Sequence, residues 1–401
     1  MTIRKLRLGI SGLGRAFMLM LPAFKASSAI QLVAAVDPRP EARSRFTAEF
    51  GGASYADVEQ LVRDPNVDAV YIASPHQFHA IQAIAAAEAG KHILVEKPMT
   101  LQLEEAEAMI DSAAKAGVVL LVGHSHSFDA PIATTRKIIA SGEFGPLKMI
   151  STLNFTDFLY RPRRPEELDT AQGGGVVFNQ AAHQVDIARF LAGGHTESVV
   201  ANTSIWDESR PTEGAYNAVL RFAGDTSATL VYSGYAHLDS DELLDWISET
   251  GVSKHPDAFL GTRRALRAGL SRNDERELRR QRGYGVERSA ATAVAAEPSV
   301  RWNEHFGFWI ASCAHADLRP TPTGVRIYAD SGPSFRSVAP PLVPRLEVID
   351  ELCAAIFDNT APIHSGRWGM ATLEVCLAML DSSRERREVQ LTKQISLPTG
   401  H

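Results

Sequence analysis

In Ile93-Leu94-Val95-Glu96-Lys97-Pro98, three β-preferring apolar residues run into a glutamate, a lysine and a proline. Proline has no N–H and a fixed φ, so the strand must stop there. Lys97 is thereby presented at the C-terminal end of a buried strand, the edge at which open α/β sheets bind ligands. Partial burial lowers a lysine pKa and turns the amine into a proton donor or acceptor. A second cluster follows Gly173-Gly174-Gly175, where Asn179, His183 and Asp186 recur at i, i+4 and i+7. On a helix that spacing puts all three on one face, about two turns long. The glycines let a ligand approach backbone N–H groups. An imidazole held between an amide and a carboxylate is a base candidate, because its tautomer and orientation can be fixed. The bland readings are a surface lysine and a structural histidine. We take Lys97 and His183 as the proton-handling groups, with Asn179 beside them.

Both clusters need a scaffold, and the N-terminus supplies a dinucleotide-binding pattern. Arg7 to Ser11 reads as a short strand, Gly12 and Gly14 as a tight turn, and Arg15, Ala16 and Phe17 as the start of a helix. Gly12 would allow the sharp turn, and Gly14 would let a pyrophosphate approach the helix N-terminus. Phe17 stands where the pattern expects a third small residue. A second strand, residues 31–36, ends in Asp37, where a ribose-binding acid is expected. Asp37 could equally cap the next helix, with Pro38 at its first position. A carboxylate there favours NAD over NADP, while Arg39 and Arg43 are the cations that would suit NADP.

With 401 residues, two domains are expected. Hydrophobic content of 45% and charged content of 22% suit a protein with sizeable cores, and a net charge of −6 points away from nucleic acid and anionic membranes. Cys313, Cys353 and Cys376 are odd in number and far apart, as reduced thiols of a cytoplasmic protein would be. The apolar run from Ala16 to Phe24 is interrupted by Pro22 and reads as a helix, not a signal peptide. No stretch is apolar for long enough to span a membrane.

To about residue 123, continuous apolar strands alternate with amphipathic helices, which implies a doubly wound parallel sheet covered on both faces. The helix 129–141 is expected to pack on it. Beyond residue 146 the alternating segments 148–158, 198–206, 215–222, 227–236 and 324–329 imply an antiparallel sheet with one wet face. The expected organisation is α/β: a dinucleotide-binding domain at 1–123, then an α+β domain at 124–401. Residues 254–290, rich in arginine, read as an exposed helical insertion, and 290–299 as a flexible Ala-rich link. Helices at 344–357 and 367–384 close the chain.

Taken in order, these motifs resemble the glucose–fructose oxidoreductase/inositol dehydrogenase (Gfo/Idh/MocA) family. They are the glycine turn, Asp37, Asp68 to Pro75 with His79, Glu96-Lys97-Pro98, and the triglycine before His183-x-x-Asp186. The resemblance covers nearly the whole chain. It implies a Rossmann domain, a second domain with an open, mostly antiparallel sheet, and hydride transfer between a hydroxyl-bearing carbon and NAD, with NADP as the alternative. It places catalysis on Lys97 and His183, and cofactor contacts on Gly12, Gly14, Arg15, Ala16, Asp37, Ser74, His79, Glu96 and Lys97. The acid that usually precedes the histidine by one turn is Asn179 here, which cannot carry charge.

Within the family, the stretches 123–131 and 158–169 look like those of phthalate dihydrodiol (4,5-dihydroxyphthalate) dehydrogenases, enzymes of aromatic catabolism. That likeness implies a carboxylated cyclic cis-dihydrodiol, held by His124, His126, Arg161, Arg163, Arg164, Asn179 and Asp186. Arginine suits this task because it grips carboxylates bidentately. The other reading of these arginines is a solvated loop paired with Glu166 and Glu167. Oxidation of a sugar, inositol or glycoside hydroxyl is the enzymatic alternative. A catalytically silent NAD(P)-binding sensor or repressor is the alternative of another class. His76, His79, His124 and His126 could gather around zinc, but no metal is expected. The expected partner is a small cyclic molecule, and a second copy of the chain meets the first through the C-terminal sheet in a dimer or tetramer.

Overall fold

Short apolar strands and glycine-stopped helices organise the N-terminal part of a computed structural model, which describes residues 5–258, 261–269, 271–286 and 300–398. The strands are β1 (Leu6–Ser11), β2 (Ile30–Val36), β3 (Ala53–Tyr55), β4 (Ala69–Ile72), β5 (His92–Val95) and β6 (Leu120–Val122). They form a parallel sheet in the order β3-β2-β1-β4-β5-β6. β4 is buried along its whole length, as a strand covered on both faces must be. Helices α1 (Arg15–Ala26), α2 (Pro40–Phe50), α3 (Val58–Arg63), α4 (His79–Glu88) and α5 (Leu103–Ala116) connect the strands. The strand order reverses between β1 and β4, which opens a crevice at the strand C-termini. The three residues of β3 carry no readable period and went unrecognised in the sequence.

The described residues of Met1–Ser125, Arg276–Val294 and Val343–Leu373 group into this first unit. The late segment pads the β6 edge: Val122 N–H donates to His364 O at 2.8 Å. Gly369 permits that approach, since a Cβ there would stand 2.4 Å from Val122 Cγ2.

The second unit comprises the described residues of His126–Glu275, Ala295–Leu342 and Glu374–His401. Its strands are β7 (Leu147–Phe155), β8 (Thr196–Ser204), β9 (Ala215–Phe222), β10 (Thr226–Ser233), β11 (Phe308–Cys313), β12 (Ala316–Thr321), β13 (Gly324–Ala329), β14 (Gly332–Ser337) and β15 (Val389–Gln390). They make one open sheet in the order β14-β13-β12-β11-β7-β10-β9-β8-β15. Only the β7–β10 pair is parallel. α6 (Ala130–Ser141) packs on β12 and β13, and α7 (Ala182–Ala192) on β7 and β10. The expected packing of α6 on the parallel sheet is therefore corrected: its buried stripe of Ile132, Thr135 and Ile138 faces the second sheet and α7.

The arginine-rich stretch holds α8 (Gly261–Arg267) and α9 (Arg272–Arg280), and the closing helices are α10 (Leu346–Phe357) and α11 (Gly366–Glu385). The stretch is not merely a solvated face. Glu275 is buried and accepts both Arg210 terminal nitrogens at 2.9 and 2.7 Å and the Arg163 N–H at 3.0 Å. The Ala-rich link at 290–299 lies outside the described residues. No helix among the described residues is long and apolar enough to cross a membrane.

Candidate functional site

In the first unit the glycine turn is shaped by close packing. Gly12 has φ +97°, and a Cβ there would lie 2.8 Å from Ala73 O. Its N–H donates to Val36 O at 2.9 Å, which locks β1 to β2. Gly14 ends the turn as the residue before α1, and a Cβ there would meet nothing within 4 Å. Arg15 is exposed, Ala16 is half-buried and Phe17 is buried. The large Phe17 is accommodated because Tyr284 meets it edge-on at 5.3 Å. An open helix N-terminus behind a glycine turn fits a pyrophosphate, and an acid closing β2 fits a ribose.

That acid, Asp37, is 4% exposed. It accepts the Leu13 N–H at 2.8 Å and the Arg39 N–H at 2.9 Å. The Arg39 side chain adds Nε to Asp37 Oδ1 at 2.9 Å and Nη2 to Oδ2 at 3.1 Å. The expectation that Asp37 caps α2 with Pro38 at its first position is corrected. Arg39 is the residue before the helix and Pro40 opens it, because the Asp37 carboxylate turns back to the glycine loop.

The ends of β4, β5 and β6 carry the other first-unit candidates. Ser74 Oγ and Ser11 Oγ both donate to Gln82 Oε1, at 2.9 and 2.8 Å. His79 is fully buried, with its ring nitrogens 3.0 Å from Pro98 O and 2.9 Å from Ser74 O. Burial lowers its pKa, although both carbonyls pull the other way. His79 therefore holds two loops together, which corrects its expected cofactor contact and removes it from any histidine metal cluster. Glu96 accepts the buried Tyr71 hydroxyl at 2.5 Å. Lys97 follows, half-buried, on a cis peptide to Pro98. His124, buried, closes the neighbouring strand. Its ring lies 6.0 Å from that of His364, whose Nδ1 is 3.0 Å from Glu351 Oε2. Burial pushes the Glu351 carboxyl up, but His364 and two backbone N–H groups outweigh it and hold it below its ordinary value.

In the second unit the triglycine precedes a helix that opens with a π-helical turn, Val177–Ala181, and continues as α7. The wider turn breaks the expected single face of Asn179, His183 and Asp186. Asn179 donates Nδ2 to Gly173 O at 3.0 Å and to Gly175 O at 2.8 Å. A carboxylate could make neither bond, which is a local reason for an amide at this position. Asp186 is 1% exposed and acts electrostatically on the buried Arg189, whose Nε donates to Gly194 O and Gln394 Oε1. Its expected substrate contact is corrected: it serves the interior.

His183 keeps partial exposure and meets His126 edge-to-face at 4.7 Å, with Phe306 also 4.7 Å away. His126 Nδ1 lies 2.9 Å from Asp129 Oδ2. Burial raises the Asp129 pKa against the pull of His126. His126, Asp129 and Glu304 bring one metal-ligand type of atom each within 4.8 Å of one another. Asp129 and Glu304 were missed in the sequence, although the His126-x-x-Asp129 spacing was a usable signal.

The three loop arginines behave differently. Arg163 lies flat on the Phe158 ring at 3.6 Å, donates to Phe158 O at 2.6 Å and is buried, so its expected substrate contact is corrected. Arg164 pairs with Glu166 at 3.2 Å and Glu167 at 3.3 Å on the surface. Arg161 keeps a third of its side chain exposed, with Nε 2.9 Å from Asp157 and Nη1 3.9 Å from Glu249. Burial pushes the Glu249 carboxyl up, but Arg161, His305 and His126 hold it below its ordinary value. The result is a partly accessible guanidinium held between the Asp157 and Glu249 carboxylates.

Comparison with known proteins agrees with this geometry. Residues 6–124 match the oxidoreductase family with an NAD-binding Rossmann fold, and residues 132–250 match the GFO/IDH/MocA C-terminal domain. The chain is 43% identical over 380 residues to 1-carboxy-3-chloro-3,4-dihydroxycyclohexa-1,5-diene dehydrogenase of Comamonas testosteroni, covering 94% of this chain and 95% of that one. It is 29% identical over 252 residues to myo-inositol 2-dehydrogenase of Thermotoga maritima, covering 61% and 74% of the two chains. A solved structure from Bordetella bronchiseptica RB50 superposes with a TM-score of 0.89 at 43% identity, covering 96% of this chain and 100% of that one. A Rossmann glycine turn and an open mostly antiparallel sheet, joined by both family matches, lead to one conclusion: the chain belongs to the Gfo/Idh/MocA family of NAD-binding oxidoreductases.

Proposed function

We propose that this oxidoreductase dehydrogenates a carboxylated cyclic cis-dihydrodiol at one hydroxyl-bearing ring carbon. The observation that carries this reading is the near full-length likeness to an enzyme named for such a substrate. Gly12, Gly14 and Asp37 would hold NAD, which supplies the hydride acceptor when bound. Lys97 or His183 takes up the hydroxyl proton as the carbon loses its hydride to the bound NAD, the work of a positioned acid–base group. The enone so formed tautomerises to a catechol, and aromatisation pulls the step forward. Asn179 holds the glycine loop, and His126, packed against His183, is the histidine offered to a ring oxygen. Arg161 receives a ring carboxylate, since it alone of the three loop arginines combines partial exposure with a place beside Asn154 and Glu249.

Asp37 favours NAD over NADP. The exposed Met149, Val200 and Val219 on the open sheet suit a homo-oligomer formed through that face. A cytoplasmic location fits three cysteines that form no disulfide.

A second reading rests on the side chains near Arg161. Asp157, Glu249 and Asn154 around Arg161 are good hydroxyl partners, as an inositol or sugar would need. The two readings part on Arg161→Gln. With a carboxylated dihydrodiol, KM should rise about tenfold or more, the worth of a charge-assisted hydrogen bond, and an uncharged dihydrodiol should change little. Steady-state kinetics on the pair checks this. Equal losses on both substrates would remove the carboxylate role and favour the polyol.

A further inference from the structure

We infer that residues 283–286, the tail of the arginine-rich segment, form a clamp that fixes cofactor choice by immobilising Arg39. This rests on the reading that Asp37 faces the adenosine ribose. All the residues concerned belong to the first unit.

The clamp is built from backbone and ring contacts. Tyr284 N–H donates to Leu13 O at 3.0 Å, directly on the glycine turn. Arg39 Nη1 donates to Tyr284 O at 3.3 Å, and Arg39 Nη2 donates to the same Leu13 O at 2.8 Å. Arg39 Nε and Nη2 also bind the Asp37 carboxylate. All three guanidinium nitrogens are thus engaged.

Two glycines allow so close a seat. A Cβ at Gly283 would lie 2.9 Å from Arg39 Nη1, and one at Gly285 would lie 2.6 Å from Ala42 Cα. Gly285 also has φ +81°, a conformation few other residues adopt. Tyr284 anchors the tail. It is 2% exposed, packs edge-on against Phe17, donates its hydroxyl to Glu49 Oε2 at 2.6 Å and lies under Arg45 at 5.1 Å.

An arginine just past the ribose acid is the natural receptor for the extra phosphate of NADP. Here its donors are committed to Asp37, Leu13 and Tyr284. It cannot swing onto a phosphate without breaking those bonds and leaving the Asp37 carboxylate with only its two backbone donors. The clamp therefore makes Arg39 a support for the ribose carboxylate and withholds that cation from NADP.

The test is fluorescence titration of the full chain with NADH and NADPH, giving a Kd for each. The wild type should bind NADH more tightly. Tyr284→Ala removes the anchor and Gly285→Val unseats the tail. In each, the ratio of NADPH Kd to NADH Kd should fall about tenfold, because a released guanidinium can meet the phosphate. Adding Arg39→Ala to either variant should reverse that fall. A ratio unmoved in both variants, or a fall that Arg39→Ala does not reverse, would overturn the clamp. So would loss of both cofactors in both variants, since the clamp acts on choice and not on folding. A wild type that preferred NADPH would instead overturn the ribose reading of Asp37.

Discussion

Replacing Lys97 or His183 by alanine should lower turnover about 10²–10⁴-fold, the usual loss for an acid–base group, while NADH binding survives. The two residues sit on different elements and are both half-buried: Lys97 just after β5, His183 in the first turn of α7. Partial burial suits proton transfer, because a fully solvated amine or imidazole gains no driving force and a sealed one cannot meet substrate. His183 is also packed on two sides by the His126 and Phe306 rings, which limits its rotamers. Rates with NAD at saturating substrate, alongside NADH titrations, check the expectation. Near-normal turnover in both variants would show that the protons leave by another route.

The largest stability effect is expected at Glu275→Ala. Glu275 and Arg210 have side chains 5% and 7% exposed and meet through two bonds of 2.7 and 2.9 Å. The same carboxylate accepts the Arg163 N–H. Removing it leaves a guanidinium and a backbone donor buried without their partner, which typically costs about 3–5 kcal/mol. Arg210→Ala should cost a comparable amount. The double variant should cost clearly less than the two together, because neither charge is then stranded. Urea denaturation of the four proteins measures the cycle. Additive losses, or a loss at Glu275→Ala below about 1 kcal/mol, the range of a surface pair, would mean that the pair is effectively solvated.

What could be read from the sequence was local. The strand-to-proline stop at Lys97, the glycine turn before α1 and the triglycine before α7 are each written in a few consecutive residues, and each stands where its motif implied. The parallel sheet was legible because its strands are continuous apolar runs. β12 and β14 were not, since their alternation is broken by Pro320, Gly332 and Pro333. Side-chain destinations were less legible still. Asp186 lies one turn from His183 on the regular helix α7, yet it is buried and acts on the interior Arg189, a destination the spacing from His183 does not announce. Arg163 and Arg161 are two residues apart on one loop, yet one is laid on Phe158 and the other kept accessible. The Arg39–Tyr284 bond joins residues 245 apart, and no local pattern could announce it.

The most direct measurement of the central claim is a turnover panel with NAD. It should include a carboxylated cis-dihydrodiol, an uncharged cis-dihydrodiol, myo-inositol and a monosaccharide, with NADH and catechol followed by absorbance. The carboxylated dihydrodiol should give the highest kcat/KM, with catechol appearing in step with NADH. A higher kcat/KM on inositol or the sugar, or NADH formed from the dihydrodiol without catechol, would contradict the account.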